Sequence, residues 1–427
     1  MSTQKIEKAN GRRQFLKSSI GSAAAVTLPA SMTMCGPNEE GAAQSAQGPQ
    51  GPRYRKNVTS LTAQEKADFT NGILELKRVP SPFFKNNLLS YYDGLVRMHQ
   101  LAVIQARQQG FGVGHKCPSL LPFHRKLVLL LEDGLRSVTG KDIAVPFWDW
   151  TDPSSVATVF ADDFMGPATG DPNNDYAVTS GPFKKGDYEL NLITVPDGDE
   201  DYLNFCPFPF LTRAGTIGDN NQKTNINSQL PLLATVDLPT SLEVNAAMEV
   251  PNYDIAPFDP SVDRAQSFRN HLGGWKGPGG APTLHNVVHT WTGGSWESCS
   301  YRYYPGAKTA TITNCDGDEK AWPAWITGKR YYVGTMQALQ TSANDPVFFI
   351  HHANVDRIWA EWQAKEGNGG TDGYPKQGAE GLQAGWGPDD EIAPYAAHKD
   401  VPEMTKTGIT NASMLDIEKL GYSYEPV

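Results

Sequence analysis

The chain has 427 residues, of which 39% are hydrophobic and 20% charged, and this composition supports a globular fold with a sizeable core. Its formal net charge is −10, and no long run of Lys or Arg follows the N-terminal region, which argues against nucleic acid as a partner. The 41 Gly and 31 Pro come with 10 Trp, 16 Tyr and 17 Phe, a mixture that predicts long ordered loops rather than disorder.

The first 35 residues resemble a twin-arginine export signal. Arg12 and Arg13 precede "QFLK" and a mildly apolar run that ends near Ala30. That run is too short, and too rich in Gly, Ala and Ser, for a membrane span. We therefore expect a periplasmic or secreted protein without a membrane span. A basic disordered tail is the alternative, and a lipid anchor at Cys35 is less favoured because "SMTMC" matches a lipobox poorly.

A linker rich in Gly, Ala, Gln and Pro follows over residues 36–52, and we expect one folded domain over 53–427. Four segments combine helical spacing of apolar residues with caps or terminal glycines, at 61–79, 86–109, 122–140 and 345–365. A short helix is predicted at 283–294. The fold class is therefore mainly α, with a handful of helices embedded in irregular structure.

The remaining segments carry few helical patterns. Residues 153–262 are rich in Pro, Asp, Asn and Gly and predict long loops with short strands. Residues 295–334 predict a β-hairpin that turns at Pro305-Gly306, and a disulfide between Cys299 and Cys315 could staple it in an exported protein. The tail from 366 to 427 is expected to be loop-like.

Nine histidines are present, and seven lie on or beside the predicted helices: His99, His115, His124, His285, His289, His351 and His352. His285 and His289 are four apart and share one helix face, a spacing suited to a metal ion. Asn286 follows the first of them where a zinc protease has its general base, so a hydrolase is disfavoured. Neutral imidazoles without nearby thiolates suit copper or zinc, and three per ion leave room for an exogenous ligand.

The adjacent pair His351 and His352 raises a question of choice. Neighbouring residues on a helix point about 100° apart, so one face cannot hold both. Periodicity alone leaves either of them as a metal ligand.

Several stretches together resemble the tyrosinase family of type-3 copper proteins, which includes tyrosinases, catechol oxidases and haemocyanins. They are "HKCPSLLPFHRKLVLLLE", "VPFWDWT", "HNVVH", "DPVFFIHHANVD" and the closing "LGYSY", and the likeness extends from about Arg53 to Tyr424. The resemblance implies a four-helix bundle core that holds two copper ions and uses O₂ as co-substrate. It assigns one copper to His99, His115 and His124, and the other to His285, His289 and His352.

In the last motif of the family the ligand is the His four residues before the Asp, here Asp356, which selects His352 over His351. The other histidines, His271, His351 and His398, are expected to be surface or neighbouring residues.

The resemblance implies oxidation of o-diphenols to o-quinones, with o-aminophenols as related substrates. In the family, the residue at Asn286 and a nearby Glu are thought to orient a water that deprotonates monophenols. Bacterial relatives carry that acid in "FRNxLEGW", whereas "FRNHLGGWKG" here has Gly273 in its place, which puts monophenol hydroxylation in doubt. Asp263 is a candidate substitute. Thr290 follows His289 and is expected to line the entrance.

Further contacts are expected away from the histidines. The resemblance implies that Arg55 contacts Tyr422 and Tyr424 near the end of the chain. Arg125 and Asp356 both lie next to buried positions and are candidates for a structural ion pair near the site. Cys117 is expected in a disulfide, with Cys206 as the candidate partner, rather than in a thioether with a histidine. The chain stops three residues after Tyr424, so we expect no C-terminal shielding domain and activity without proteolysis.

Three other functions remain as alternatives. An oxygen carrier like the haemocyanins would use the same ligands behind blocked access, although the export signal and the size of the chain argue against it. The others are a zinc hydrolase and a metal-free helical scaffold with core histidines. A small phenol and O₂ are the expected partners, and the sequence does not identify a copper-delivery protein.

Overall fold

Helices from separate parts of the chain form the centre of the protein. The computed structural model describes residues 51–85, 88–193, 206–215, 224–225, 233–234, 237–275, 283–298, 330–365, 367–392, 394 and 408–427, all within one compact unit over 46–427. Within these ranges the α-helices are α1 (Ala63–Leu76), α2 (Tyr91–Gln109), α3 (Leu120–Thr139), α4 (Ser155–Val159), α5 (Ser241–Met248), α6 (Phe268–Gly273), α7 (Leu284–Gly293) and α8 (Val347–Ala364). The strands are β1 (Arg53–Arg55), β2 (Thr224–Asn225), β3 (Leu233–Ala234), β4 (Ser295–Ser298), β5 (Arg330–Val333) and β6 (Tyr422–Tyr424). The mainly α fold class is confirmed.

The predicted helix ends agree with the observed caps to within a few residues. Thr62 and Glu65 form a capping box at the start of α1. Gly110 and Gly140 end α2 and α3 with φ of 77° and 65°, in the left-handed region that favours glycine. Helix α3 begins two residues before Pro122. A proline is tolerated there because the N–H groups of the first turn have no acceptor within the helix, so the N–H that proline lacks costs no hydrogen bond.

Helix α3 lies between α1 and α8, while α2 packs on α3 and α7 packs on α8. Its inner face buries Leu127, Val128 and Leu131 completely, and α8 contributes the equally buried Phe348 and Ile350. Each such side chain stabilises the fold by about 1.5–3 kcal/mol through removal from water. This packing fixes α2, α3, α7 and α8 relative to one another, and these four helices or their flanking loops carry seven of the histidines.

The two ends of the described unit pair with each other. Strands β1 and β6 are parallel, with Arg55 opposite Tyr424. The Arg55 guanidinium donates to the Tyr424 hydroxyl at 2.7 Å and lies 3.9 Å from the centroid of the Tyr422 ring. The expected contact between Arg55 and the two tyrosines is confirmed.

The predicted hairpin has its two strands in place. Strands β4 and β5 pair antiparallel, with Ser295 opposite Val333. Cys299, Cys315 and the Pro305-Gly306 turn lie outside the described residues, as do the export signal, Cys35 and residues 36–50 of the linker. No helix in the described part of the chain is both long and apolar enough to cross a membrane.

Helices α4 and α5 occupy the region that was predicted to be loops and short strands, so that prediction is wrong at these two places. Helix α5 buries only Val244 and Ala247 well, which leaves too weak an apolar period to recognise. Its capping box, Thr240 with Glu243, is the signal that the sequence did offer.

Candidate metal centre

Seven buried or half-buried imidazoles form two adjacent groups in the helical core. The first group takes His99 from α2, His115 from the following loop and His124 from α3, and the second takes His285 and His289 from α7 and His351 and His352 from α8. Within each group, one ring nitrogen of every residue lies within 4.8 Å of those of the others. All six histidines predicted as ligands are therefore brought together, with His351 as an additional neighbour.

The Nε2 atoms in each group approach one another closely. His99 and His115 are separated by 3.1 Å, His285 and His352 by 3.3 Å, and His285 and His289 by 3.2 Å, all between Nε2 atoms. Tetrahedral imidazole ligation with bonds of about 2.0–2.1 Å places neighbouring nitrogens roughly 3.3 Å apart. The distances between the Nε2 atoms therefore suit a metal ion bound between them.

Hydrogen bonds to the far side of four rings fix where the proton sits. Each Nδ1 faces an oxygen that can only accept, so Nδ1 carries the hydrogen and Nε2 keeps its lone pair. The pairs are His99 with the Gln340 carbonyl (3.4 Å), His124 with the Leu120 carbonyl (2.8 Å), His285 with Asn286 Oδ1 (3.0 Å) and His289 with the Met336 carbonyl (2.8 Å).

His351 differs from these four histidines in which ring nitrogen carries the hydrogen. The indole N–H of Trp150 donates to His351 Nδ1 at 3.0 Å. An indole nitrogen can only donate, so Nδ1 is the acceptor and the neutral ring carries its proton on Nε2. His351 then has no free lone pair to offer, and it stacks on the His285 ring at 5.1 Å between centroids. The hydrogen bond gives a physical reason to prefer His352 as the ligand.

Burial keeps these imidazoles neutral. It lowers the pKa of His99 and His289 to about 4 and that of His285 to about 3. Burial, helped by neighbouring histidines, also lowers the pKa of the other four rings well below the usual value. At neutral pH the nitrogens are therefore unprotonated where needed, as metal binding requires.

The two groups touch each other through apolar contacts. The rings of His124 and His352 stack with centroids 4.0 Å apart and planes within 5°. The centroid of the buried Phe348 ring lies 5.0 Å from that of the His99 ring and 4.2 Å from that of the His352 ring. Among the described residues, neither group contains a carboxylate or a thiolate. An all-imidazole donor set of this kind fits two copper ions side by side better than harder metals.

The predicted substrate residues lie beside the second group. The Asn286 amide accepts from His285 Nδ1 and donates to the Gly274 carbonyl at 3.3 Å. Thr290 is buried, and its hydroxyl donates to the Asn286 carbonyl at 3.3 Å. Both side chains therefore bond to nearby groups of the protein, and their roles toward a substrate stay predictions.

The position that lacks an acid is crowded. A Cβ on Gly273 would lie 3.0 Å from Trp275 Nε1 and 3.1 Å from Leu120 Cδ2. The candidate substitute, Asp263, is exposed, and its carboxylate accepts the N–H of Ala265 at 2.8 Å. The structure thus holds Asp263 in a local turn at the surface.

An ionic network links the helices of the two groups. Asp356 on α8 accepts from Arg125 on α3, and from Arg55 at 2.9 Å, and all three are buried. Burial alone would raise the pKa of Asp356, but the two guanidinium groups outweigh it and lower the pKa. The predicted ion pair is confirmed, and Glu132, 2.7 Å from Arg55, is a further member that the sequence reasoning missed.

Trp150 was missed as well. The stretch "VPFWDWT" resembles the family, but nothing in it indicates which histidine the indole of Trp150 contacts.

The predicted disulfide between Cys117 and Cys206 is wrong. Both are free, buried thiols. Cys117 packs with Phe258 and Trp386, whereas Cys206 belongs to another apolar cluster and contacts the Thr212 hydroxyl at 3.4 Å. The two cysteines are separated because they belong to different parts of the core.

Of the remaining two histidines, the structure describes His271, which belongs to neither group. His271 is buried on α6, and its Nδ1 has no partner among the described residues. His398 lies outside the described residues.

Comparison with known proteins gives consistent matches. Residues 89–365 match a family model described as the common central domain of tyrosinase. The tyrosinase of Streptomyces antibioticus is 32% identical over 73% of this chain and 83% of its own length, and the grixazone synthase of Streptomyces griseus is 30% identical over 73% and 84%. A solved polyphenol oxidase variant from Thermothelomyces thermophila has a similar fold, with a TM-score of 0.52 over 88% of this chain and 89% of that one at 17% identity.

Proposed function

The chain belongs to the tyrosinase family and is a tyrosinase-type oxidoreductase with a dicopper centre that uses O₂, and we propose that it oxidises o-diphenols to o-quinones. In this proposal His99, His115 and His124 hold one copper ion, and His285, His289 and His352 hold the other. The observation that carries it is the pair of adjacent groups of buried, neutral imidazoles whose Nε2 atoms lie 3.1–3.3 Å apart.

The copper pair supplies the electron transfer between phenol and O₂, and the protein orients the donors. Backbone carbonyls and the Asn286 amide hold the Nδ1 protons, so that the lone pairs of four rings point into the centre. Trp150 occupies the one lone pair of His351 and keeps that ring from competing for metal. The Phe348 ring places an apolar surface beside both groups.

The surroundings of Asn286 support a preference for diphenols over monophenols. Deprotonating a monophenol calls for a base close to the reacting oxygen. Gly273 offers no carboxylate, and the Asn286 amide is already bonded to His285 and Gly274. o-Aminophenols share the adjacent pair of oxidisable groups with o-diphenols and belong to the same proposed substrate class.

Oxygen consumption by the purified protein tests the proposal, with copper counted per chain. We expect two copper ions, steady O₂ uptake with catechol and o-aminophenol, two o-quinones formed per O₂ consumed with catechol, and slow or no uptake with tyrosine. A copper-loaded protein that binds O₂ once and then stops would instead be an oxygen carrier. Equal rates on tyrosine and catechol would contradict the diphenol preference.

We also propose that the first 35 residues export the protein, on the basis of Arg12, Arg13 and the apolar run that follows them. Changing both arginines to lysine in the full chain should retain the protein in the cytoplasm, as measured by cell fractionation. Cys35→Ala should leave the location unchanged, and loss of membrane association in that variant would indicate a lipid anchor instead.

A further inference from the structure

A lysine and a tryptophan meet where the segments that carry the two histidine groups come together. Lys116 directly follows His115, is exposed, and has φ of 57°, a conformation that residues with a side chain rarely adopt. Trp275 follows the two glycines that end α6. The Lys116 ammonium nitrogen lies 5.0 Å from the centroid of the Trp275 ring, within range of a cation–π contact.

The pair lies next to both groups of the candidate centre. Trp275 Nε1 is 3.0 Å from the position of a Cβ on Gly273, and the Gly273 carbonyl oxygen is 3.4 Å from His285 Nδ1. Asn286 of the second group is only half-buried, and its amide donates at 3.3 Å to the carbonyl of Gly274, the residue before Trp275.

Both groups have hydrogen atoms to donate, and the described part of the chain shows no acceptor for either. Trp275 Nε1 is buried and has no hydrogen-bond partner among the described residues. Within the same ranges Lys116 has no acidic partner, and its cation–π contact with Trp275 is the interaction that the structure shows for it. A buried N–H without an acceptor is unfavourable, which leaves room for an acceptor supplied by a ligand.

We propose that Lys116 and Trp275 select phenolic substrates that carry an anionic ring substituent such as a carboxylate. The inference rests on the proposed function and names the substrate class of the same site. The carboxylate would accept from the indole N–H and lie beside the ammonium group. The absence of an acid at Gly273 fits this preference, because a second carboxylate there would repel the substrate.

Lys116→Gln in the copper-loaded full-length enzyme tests the charge. We compare 3,4-dihydroxybenzoate with the neutral 4-methylcatechol, and for the acid we expect KM to rise roughly three- to fivefold with little change in kcat, in line with an exposed charge contact. KM for the neutral substrate should stay within about twofold. The matched control is Lys141→Gln, because Lys141 is also an exposed lysine and pairs with Asp68. It should leave KM for both substrates unchanged.

Two further measurements separate recognition from a structural effect. Trp275→Phe keeps an aromatic ring for the lysine to lie over but removes the N–H, and it should also raise KM for the acid alone. Calorimetric titration of the copper-loaded enzyme with the acid under argon should show correspondingly weaker binding in both variants. In the unaltered enzyme, the preference for the acid should shrink as salt rises, because screening weakens the contact.

The outcomes distinguish this inference from the proposed function. Equal changes for both substrates, or no preference for the acid in the unaltered enzyme, would overturn the inference while catechol oxidation still stands. An unaltered copper-loaded enzyme that fails to oxidise catechol would contradict the proposed function, and the argon titration would still judge the binding claim. If Lys116→Gln does not fold, the salt dependence of the unaltered enzyme decides.

Discussion

The position of a single hydrogen distinguishes the two adjacent histidines of α8. Trp150, 201 residues away in sequence, donates to His351 Nδ1 and thereby places the ring proton on Nε2. His352 Nε2 instead lies 3.3 Å from the Nε2 of His285. The two residues share burial and helix, so the difference in metal binding that we propose for them arises from what faces each ring.

The two alanine variants of this pair should therefore behave differently. In His352→Ala we expect copper to fall toward one ion per chain and O₂ uptake with catechol to fall by at least about 100-fold, because a ligand is lost. His351→Ala should keep both ions and stay within about tenfold of the original rate. Metal analysis and an oxygen electrode make the measurement, and equal losses in the two variants would contradict the ligand choice.

Trp150→Phe tests the role of the indole. Without the donor, His351 can carry its proton on Nδ1 and offer Nε2 to the metal, so we expect roughly tenfold slower O₂ uptake and an altered copper spectrum. Trp148→Phe is a matched control, because Trp148 is equally buried but donates to the Ser155 hydroxyl. Both variants should lose about 0.5–3 kcal/mol of stability, and the control should keep its rate. A similar loss of rate in both would contradict the role of Trp150.

At the scale of elements, the histidines are positioned by helices that an ionic network ties together. Asp356 on α8 is bonded to Arg125 on α3 and to Arg55 on β1, with the Tyr422 and Tyr424 hydroxyls of β6 donating to the same carboxylate. Arg125 directly follows His124, and Asp356 lies one helical turn after His352. Because the network ties α3 to α8, a shift of one helix would also move the other, and with it histidines of both groups.

Asp356→Asn should destabilise the fold strongly. It leaves two buried guanidinium groups without their shared carboxylate, which costs about 3–5 kcal/mol in the free energy of unfolding. Chemical denaturation measures this cost. Glu75→Gln, which removes the partner of exposed Arg78, is the control and should cost less than about 1 kcal/mol. A small effect of Asp356→Asn would show that the network does not hold the helices.

The same carboxylate should contribute to acid sensitivity. Its pKa is lower in the folded protein than in the unfolded chain, so its contribution to stability is present above the unfolded value of about 3.9 and is lost as pH falls through the folded pKa. We expect the dependence of unfolding free energy on pH below about 4 to be shallower in Asp356→Asn. If the free energy of unfolding falls equally steeply with decreasing pH in the two proteins, this expectation is contradicted.

At the scale of the whole molecule, the two proposed copper ions would join segments that are far apart in sequence. The ligands proposed for the two ions come from α2, the loop after it, α3, α7 and α8. Ions that bind the folded protein and not the unfolded chain stabilise it, by about 4 kcal/mol when free metal is a thousandfold above Kd.

Removal of copper by a chelator should therefore lower the melting temperature, and restoring copper should raise it again. His289→Ala should reduce the difference in melting temperature between the copper-loaded and copper-free proteins. His271→Ala, which changes a buried histidine outside both groups, should leave that difference unchanged. Identical melting of the copper-loaded and copper-free proteins would contradict a metal that bridges the helices.

The sequence by itself determined what depends on neighbours along the chain. Helices α1, α2, α3, α7 and α8 follow from local apolar spacing, from Thr62 at one start and from Gly110 and Gly140 at two ends. The six histidines could be named from short motifs, whose resemblance to a family also supplied the choice of His352.

Only the tertiary structure decided what depends on partners distant in sequence. It places Trp150 against His351, joins Glu132 to Arg55, and keeps Cys117 and Cys206 in separate clusters as free thiols. Periodicity cannot supply such facts, because a hydrogen bond or a disulfide depends on which surfaces meet when the helices pack, and that is set by the shape of the whole core.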